Sequence, residues 1–473
     1  MKKKTELIKN AFIILLGKAC TQFLSFLMLP LYTFVLSTDD YGTIDLISTY
    51  TALAIPIIGL QIEMGTFRYL VDAREHSKEK VSIVSNTFFT LLITTILSFI
   101  FLAPVTSIIS LPHLWPILFS GFATIFSGYF LQIARGLGDT IGYSFGSIII
   151  GCSSVVMNMV LLLVFSAGID GILIATGVSN TICIIFLIFR EKVFSYIDIR
   201  QYKKERIMQI LHYSIPLIPN SVIWWIISVS DRTIITYFLN TSANGIYAVS
   251  NKFSYIVSHI YGVFNLSWTE SASLHINDSD RDEFFSDTFN TTIRIFSSIS
   301  LLMLAYMPVF FKFMIGKEYQ EAYLYIPILS IGMIFNIVVS FIGSIYIAKM
   351  KSKEVALSSF WSGVLNISIN VLLIKYIGLW AASISTLLAF LIMSVYRYYD
   401  VQKYVRLKID KKLLMYLVLL FTIDVLLYYL GSLYAYIANV IIISCSAFFL
   451  NKSLIVVSIK KAKDLLIRFK ISK

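Results

Sequence analysis

The stretch Thr33-Phe34-Val35-Leu36-Ser37-Thr38-Asp39-Asp40-Tyr41-Gly42 lies without gaps over Thr236-Tyr237-Phe238-Leu239-Asn240-Thr241-Ser242-Ala243-Asn244-Gly245, and this pairing decides the fold. The same register carries Gly59 onto Gly262. Farther along, Ile133-Ala134-Arg135 matches Ile347-Ala348-Lys349, while Gly168 and Thr176 match Gly378 and Thr386. The chain is an internal duplication. Its surroundings are greasy: 57% of residues are hydrophobic, 14% are charged, and the mean hydropathy is +0.79. Apolar runs of roughly 20 residues recur from Ala11 to Val457, each long enough to cross a ~30 Å hydrocarbon core. That composition excludes a soluble protein. Duplicated helix bundles are what alternating-access carriers are built from.

The runs predict an all-α polytopic membrane protein with about fourteen spans: 9–36, 42–67, 82–108, 114–134, 141–167, 171–190, 209–239, 244–269, 288–314, 322–348, 355–377, 379–397, 412–430 and 433–456. Threading the chain through these spans puts roughly 33 of the 39 basic residues on the side of the termini and about three on the other. Both termini are therefore expected in the cytoplasm. The net charge of +12 is an orientation signal and not a nucleic-acid footprint, because the basic residues crowd the tails and alternate loops. The start, Met1-Lys2-Lys3-Lys4, reads as the flank of an uncleaved first helix: its apolar run is too long for a signal peptide and contains Lys18. Cys20, Cys152, Cys183 and Cys445 all fall inside spans, as small buried hydrophobes would.

The repeats begin near residues 9 and 209 and hold six helices each. An even number returns the chain to its starting side, so the repeats are parallel about an axis along the membrane normal. The expected divisions are 1–200 for the first six helices, 201–405 for the next six, and 406–473 for two additional helices with a basic tail.

Four basic residues fall within or at the edge of spans: Lys18, Arg68, Arg232 and Lys252. A charge at the bilayer centre costs ~2.5–3.5 kcal/mol on insertion scales, so it normally faces a cavity or a partner. Counting residues puts Arg68 at the inner rim, Lys18 midway to the inner half, and Arg232 and Lys252 in the outer half. Facing one gap, they would make a ladder of positive charge. Arg68 also suits an ordinary snorkelling end residue, and a cross-helix pair between Asp231 and Lys252 would be purely structural. The duplication supplies a control. Gly42/Gly245 and Gly59/Gly262 repeat as packing positions should, whereas Lys18, Arg232 and Lys252 have Ser221, Leu29 and Thr49 as counterparts. Charges not needed in both copies are better candidates for ligand contacts. Pro30, Pro216 and Pro219 are candidate hinges, since proline removes a backbone donor and bends a helix. Trp224, Trp225 and Trp268 suit either a cavity wall or interfacial anchoring. Asp424 is an intramembrane acid outside the repeat, without an assigned role.

Other matches carry little. Asp278-Ser279-Asp280 sits in a short acidic loop without a surrounding domain. Gly17-Lys18 and Gly316-Lys317 lack the rest of a phosphate loop, and the five histidines show no metal spacing. No catalytic residue, metal or cofactor is expected.

Several segments resemble the central signature of bacterial polysaccharide flippases of the multidrug/oligosaccharidyl-lipid/polysaccharide exporter superfamily. These are Leu211-His212-Tyr213-Ser214-Ile215-Pro216-Leu217-Ile218-Pro219-Asn220, Ser230-Asp231-Arg232 and Gly245-Ile246-Tyr247-Ala248-Val249-Ser250-Asn251-Lys252. Pro30-Leu31-Tyr32, Tyr41-Gly42, Gly59 with Arg68, and Ala322-Tyr323 with Pro327-Ile328-Leu329 also look like family positions. The resemblance implies two lobes around a cationic central cavity, with the last two helices forming a groove for a lipid tail. It implies translocation of undecaprenyl-diphosphate-linked oligosaccharide from the cytoplasmic to the outer leaflet of the bacterial plasma membrane. Lys18, Arg68, Arg232 and Lys252 would hold the diphosphate by charge-assisted hydrogen bonds, with Asn220, Trp224 and Trp268 on the sugars. Proton or sodium antiport would use Asp231 or Glu63. Membrane lipids and other polysaccharide assembly proteins are the expected partners. The alternatives are a cation-coupled multidrug exporter of the same superfamily, whose cavity should be acidic or aromatic, and a glycan polymerase or ligase. The last would need acid/base groups in an outer loop, and the outer loops here are short and nearly uncharged.

Overall fold

The computed structural model describes Gly17, Thr21, residues 23–108 and residues 112–471. The described residues form helices and no strand. In chain order the α-helices are α1 (Leu29–Val35), α2 (Thr38–Ile58), α3 (Ile62–Asp72), α4 (Ser77–Ile108), α5 (Leu114–Leu137), α6 (Thr140–Met159), α7 (Gly168–Glu191), α8 (Lys204–Ser214), α9 (Leu217–Phe238) and α10 (Thr241–His275). They continue as α11 (Arg281–Met314), α12 (Ala322–Ala348), α13 (Ser352–Ile377), α14 (Leu379–Val401), α15 (Lys411–Leu430) and α16 (Leu433–Ile471). Among the described residues, eleven helices are long and apolar enough to cross a membrane. The protein is an all-α, multi-pass membrane protein. Two long helices fall outside that set, α9 and α10, and they carry Asp231, Arg232, Asn244, Asn251 and Lys252.

Two expected spans are interrupted. The stretch 42–67 breaks into α2 and α3 at Gly59-Leu60-Gln61, where Leu60 and Gln61 both take a left-handed φ of 51°. The stretch 209–239 breaks at Ile215-Pro216: α8 ends at Ser214 and Pro216 caps α9, as expected of a residue with no amide hydrogen. Pro30 instead starts α1, where its missing donor costs nothing, and Pro219 lies exposed in the first turn of α9. The repeat pair Gly59/Gly262 is unequal in structure. Gly59 caps α2, whereas Gly262 sits inside unbroken α10 with open space where a Cβ would go.

Compactness groups the chain into unit 1, Met1–Ala248 with Gly316–Tyr319, and unit 2, Val249–Ile315 with Gln320–Lys473. This division differs from the repeat boundary near residue 200, because α8 and α9 pack onto α3 and α2 within unit 1. The core of unit 1 gathers Ile62, Leu70, Ile83, Tyr129, Ile133 and Leu187. That of unit 2 gathers Trp268, Phe285, Phe289, Phe341 and Tyr346. There, α15 and α16 pack against α11 through Leu417, Leu420 and Ile443 on Leu301 and Ala305.

Candidate functional site

The matched stretches that revealed the duplication meet within unit 1. Ser37 caps α2 by accepting from the Asp40 amide at 3.1 Å, and Asp39 and Asp40 place negative charge on its first turn. Thr38 and Ser242, at the heads of α2 and α10, share a 2.7 Å hydroxyl contact. The two backbones approach so closely that a Cβ on Gly42 would strike the Thr241 carbonyl, and one on Gly245 would strike the Thr38 carbonyl. Glycine at both positions is a packing requirement. The Tyr319 hydroxyl donates to the carbonyls of Ser37 (2.7 Å) and Leu36 (3.1 Å), and its ring meets Tyr41 edge-on.

Beneath this crossing the seam turns polar. Arg232 on α9 donates through Nε to Asp45 Oδ2 on α2 at 2.6 Å, with 21% and 16% of the two side chains exposed. Fully buried Asn244 donates to the Gly42 carbonyl at 3.0 Å and to Asp45 Oδ2 at 3.4 Å. The Tyr247 hydroxyl donates to Asp231 Oδ2 at 3.1 Å. Asp45 is seven residues into α2 and Arg232 six residues from the end of α9, so the ion pair lies ~10 Å below the helix ends. Deeper still, Trp225 Nε1 donates to the Thr49 carbonyl at 2.7 Å, Tyr50 packs on the Trp225 ring, and Gln61 donates to Ser221 Oγ at 2.9 Å. Polar contacts thus run the length of the α2–α9 seam.

The sequence-derived candidates distribute as follows. Arg232 and Asp231 sit in this seam. Arg68 is exposed on α3 and pairs with Asp72 at 2.7 Å, one turn away; Glu63 is half-buried on the first turn of the same helix. Lys252 belongs to unit 2 and is exposed on α10. Trp268 is 2% exposed, stacks on Phe341 at 4.2 Å and donates to its carbonyl, so it is core of unit 2 and not a cavity wall. Lys18 and the side chains of Asn220 and Trp224 lie outside the described residues. Asp45, Asn244 and Tyr247 were not among the site residues expected from sequence, although Asn244 lies in the repeat and Tyr247 in the family-like segment. The signal for Asp45 was present: its counterpart in the second copy is Ala248, the same inequality that singled out Arg232.

A second buried cation also went unread. Arg397 on α14 is 2% exposed and faces four neutral acceptors: Ser358 Oγ and Ser359 Oγ at 2.9 Å, and the carbonyls of Val339 (2.9 Å) and Val355 (3.0 Å). It is the last residue of the span expected at 379–397. It joins α12, α13 and α14 inside unit 2.

The described residues thus form a multi-pass helical bundle with an ion pair sunk in the α2–α9 seam. Residues 7–268 match the family described as polysaccharide biosynthesis protein, and the chain belongs to that family. No curated protein matches the chain. Among solved structures, lipid II flippase MurJ in an inward closed conformation is similar at a TM-score of 0.69 and 16% identity, over 94% of this chain and 100% of that one. An inward-facing multidrug resistance MATE family transporter of the MOP superfamily follows at 0.67 and 12%, over 81% and 95%. An outward-facing structure of such a transporter gives 0.58 and 13%, over 84% and 94%. The fold is therefore that of MOP-superfamily transporters and flippases.

Proposed function

We propose that this protein is a flippase carrying an undecaprenyl-diphosphate-linked oligosaccharide from the cytoplasmic to the outer leaflet of the bacterial plasma membrane. It works by alternating access, performs no covalent chemistry, and keeps both termini in the cytoplasm. The observation that carries this reading is the Arg232–Asp45 pair, ~10 Å below the helix ends in a seam closed by Gly42 and Gly245. Within the membrane a guanidinium needs a partner, and Asp45 supplies one while no substrate is bound. A diphosphate offers the same planar donor fork more oxygens and more charge, so it can take the place of the carboxylate. Exchange of Asp45 for substrate would loosen α2 from α9 beneath the Gly42–Gly245 crossing, where outward release requires parting. Lys18 and Arg68 receive the headgroup from the cytoplasmic side, and Lys252 follows Arg232. Asn220 and Trp224 suit the sugars, and the last two helices the lipid tail. The return step uses proton or sodium, with Asp231 or Glu63 as the exchanging group; Pro216 serves as a hinge between α8 and α9.

The test is export of surface glycan in cells whose only copy is Arg232→Ala or Lys18→Ala. Loss of surface polysaccharide at normal protein levels is expected for both. Full export by both variants rejects the assignment. Drug sensitivity of a deletion strain with intact surface polysaccharide would replace it with drug export.

A further inference from the structure

Unit 1 contains an apolar groove whose lining shares no residue with the polar seam. It has a volume of about 460 Å³ and is lined by the α5 stripe Phe119, Phe122, Phe126 and Phe130, by Phe88 of α4 and by Ile184 and Ile188 of α7. Thr181 is the one polar side chain on its wall. Phe119 to Phe130 spans eleven residues of helix, ~16 Å along the axis, so the groove is long and narrow. It is also open: Phe119 is 41% and Phe194 71% exposed. A void of this kind loses dispersion contacts along its whole wall, so in a membrane it fills with a flexible hydrocarbon chain.

Its inner end explains which chain. Val193, Phe194 and Ile197 line the groove there, in the linker between α7 and α8. Residues 190–206 hold six basic side chains against three acidic ones. Arg190 is engaged with Asp139 at 2.5 Å, and Arg206 stacks over Tyr69. Lys192, Arg200, Lys203 and Lys204 form no ion pair among the described residues. This strap does not float. Fully buried Ser85 on α4 donates to the Tyr196 carbonyl at 3.0 Å and accepts from the Asp198 amide at 2.8 Å. Its neighbour Asn86 donates to the Gln201 carbonyl at 2.8 Å and accepts from the Lys203 amide at 2.7 Å. Two buried polar residues of a membrane helix thus fix a basic segment at one mouth of an apolar groove, the mouth that the proposed orientation puts in the cytoplasm.

We infer that this groove is a binding site for an anionic phospholipid of the cytoplasmic leaflet. One acyl chain lies along Phe119–Phe130, and the phosphate rests against Lys192, Arg200 and Lys203. The chain supplies apolar contact, the fixed cations supply preference for negative headgroups, and neither depends on the transported substrate.

The experiment is native mass spectrometry of the full-length protein titrated with dioleoyl phosphatidylglycerol or dioleoyl phosphatidylcholine. The wild type should hold phosphatidylglycerol more tightly. Ala123→Trp, which fills the groove, should weaken it about tenfold, the effect of excluding roughly two methylenes. Lys192→Glu with Arg200→Glu should bring the two lipids to equal affinity. Should Ala123→Trp fail to fold, Phe194→Glu at the exposed mouth replaces it, with the same loss expected. Undiminished phosphatidylglycerol binding in the groove variant, or equal binding of both lipids by the wild type, overturns the site. So does a paired-chain mass abolished by Phe194→Glu, which would make this face a dimer contact, or a co-purified isoprenoid phosphate displaced by the same variant.

Discussion

Arg232 and Arg397 are both buried cations in membrane helices, yet their surroundings assign them opposite work. Arg232 has a carboxylate partner, Asp45, and the proposed transport exchanges that partner for an incoming anion. Arg397 spends its donors on two hydroxyls and two carbonyls from neighbouring helices, leaving nothing to exchange. Arg397→Ala should therefore strand several buried acceptors and destabilise the protein by roughly 3 kcal/mol or more. Thermal unfolding in detergent, followed by intrinsic fluorescence, measures this. Arg397→Lys should recover only part of the loss, because an ammonium lacks the planar fork that reaches four acceptors. Equal stability of wild type and Arg397→Ala would contradict the reading of Arg397 as a structural brace.

Among elements, the crossing of α2 and α10 depends on glycine in a way that α10 farther down does not. Gly42→Val presses a side chain into the Thr241 carbonyl, and such overpacking costs about 1–3 kcal/mol. It should also reduce glycan export, since the heads of α2 and α10 can no longer close. Gly262→Ala meets open space and should be neutral or stabilising by up to ~1 kcal/mol from helix propensity. Paired unfolding and export measurements on the two variants compare them directly. The added hairpin of α15 and α16 has its own polar lock: Asn439 Nδ2 donates to Asp424 Oδ1 at 2.7 Å, with Asp424 fully buried. Among the described residues, Asp424 Oδ2 and Asn439 Oδ1 have no hydrogen-bond partner. Asp424→Asn keeps the acceptor and adds a donor, so protein level and unfolding temperature should hold. Asp424→Ala removes the shorter bond, leaves Asn439 Nδ2 only the Asp424 carbonyl at 3.3 Å, and should lower stability by about 1–3 kcal/mol. Loss of glycan export in a stable Asp424→Asn protein would instead give the carboxyl a role in transport.

For the whole molecule, charge asymmetry is the basis of the proposed orientation. The turn Gly431-Ser432 between α15 and α16 falls on the face with few cations, and Ser195 falls in the basic linker. In spheroplasts of a strain lacking the native cysteines, Ser432→Cys should react with an impermeant maleimide. Ser195→Cys should react only after permeabilisation. The reverse pattern would invert the topology. The spans were readable from sequence because they rest on local composition: twenty apolar residues span a bilayer wherever they occur. The expected orientation rests on lysine density, which needs no partner to be counted. The repeat was equally visible, and its glycines at 42 and 245 met as matching positions should. Gly59 and Gly262 diverged because Leu60 and Gln61 take left-handed backbone after the first, while α10 runs straight through the second.

The chain by itself therefore determined a duplicated, membrane-spanning helical bundle with unmatched charges in two of its helices. What only the tertiary structure decided was who faces whom. Asp45 and Arg232 are 187 positions apart, Trp268 turned into the core instead of a cavity, and Arg397 was buried among neutral acceptors. A helix sequence gives the angle between its side chains, but pairing depends on rotation and crossing against a neighbour. Those are settled by packing far along the chain.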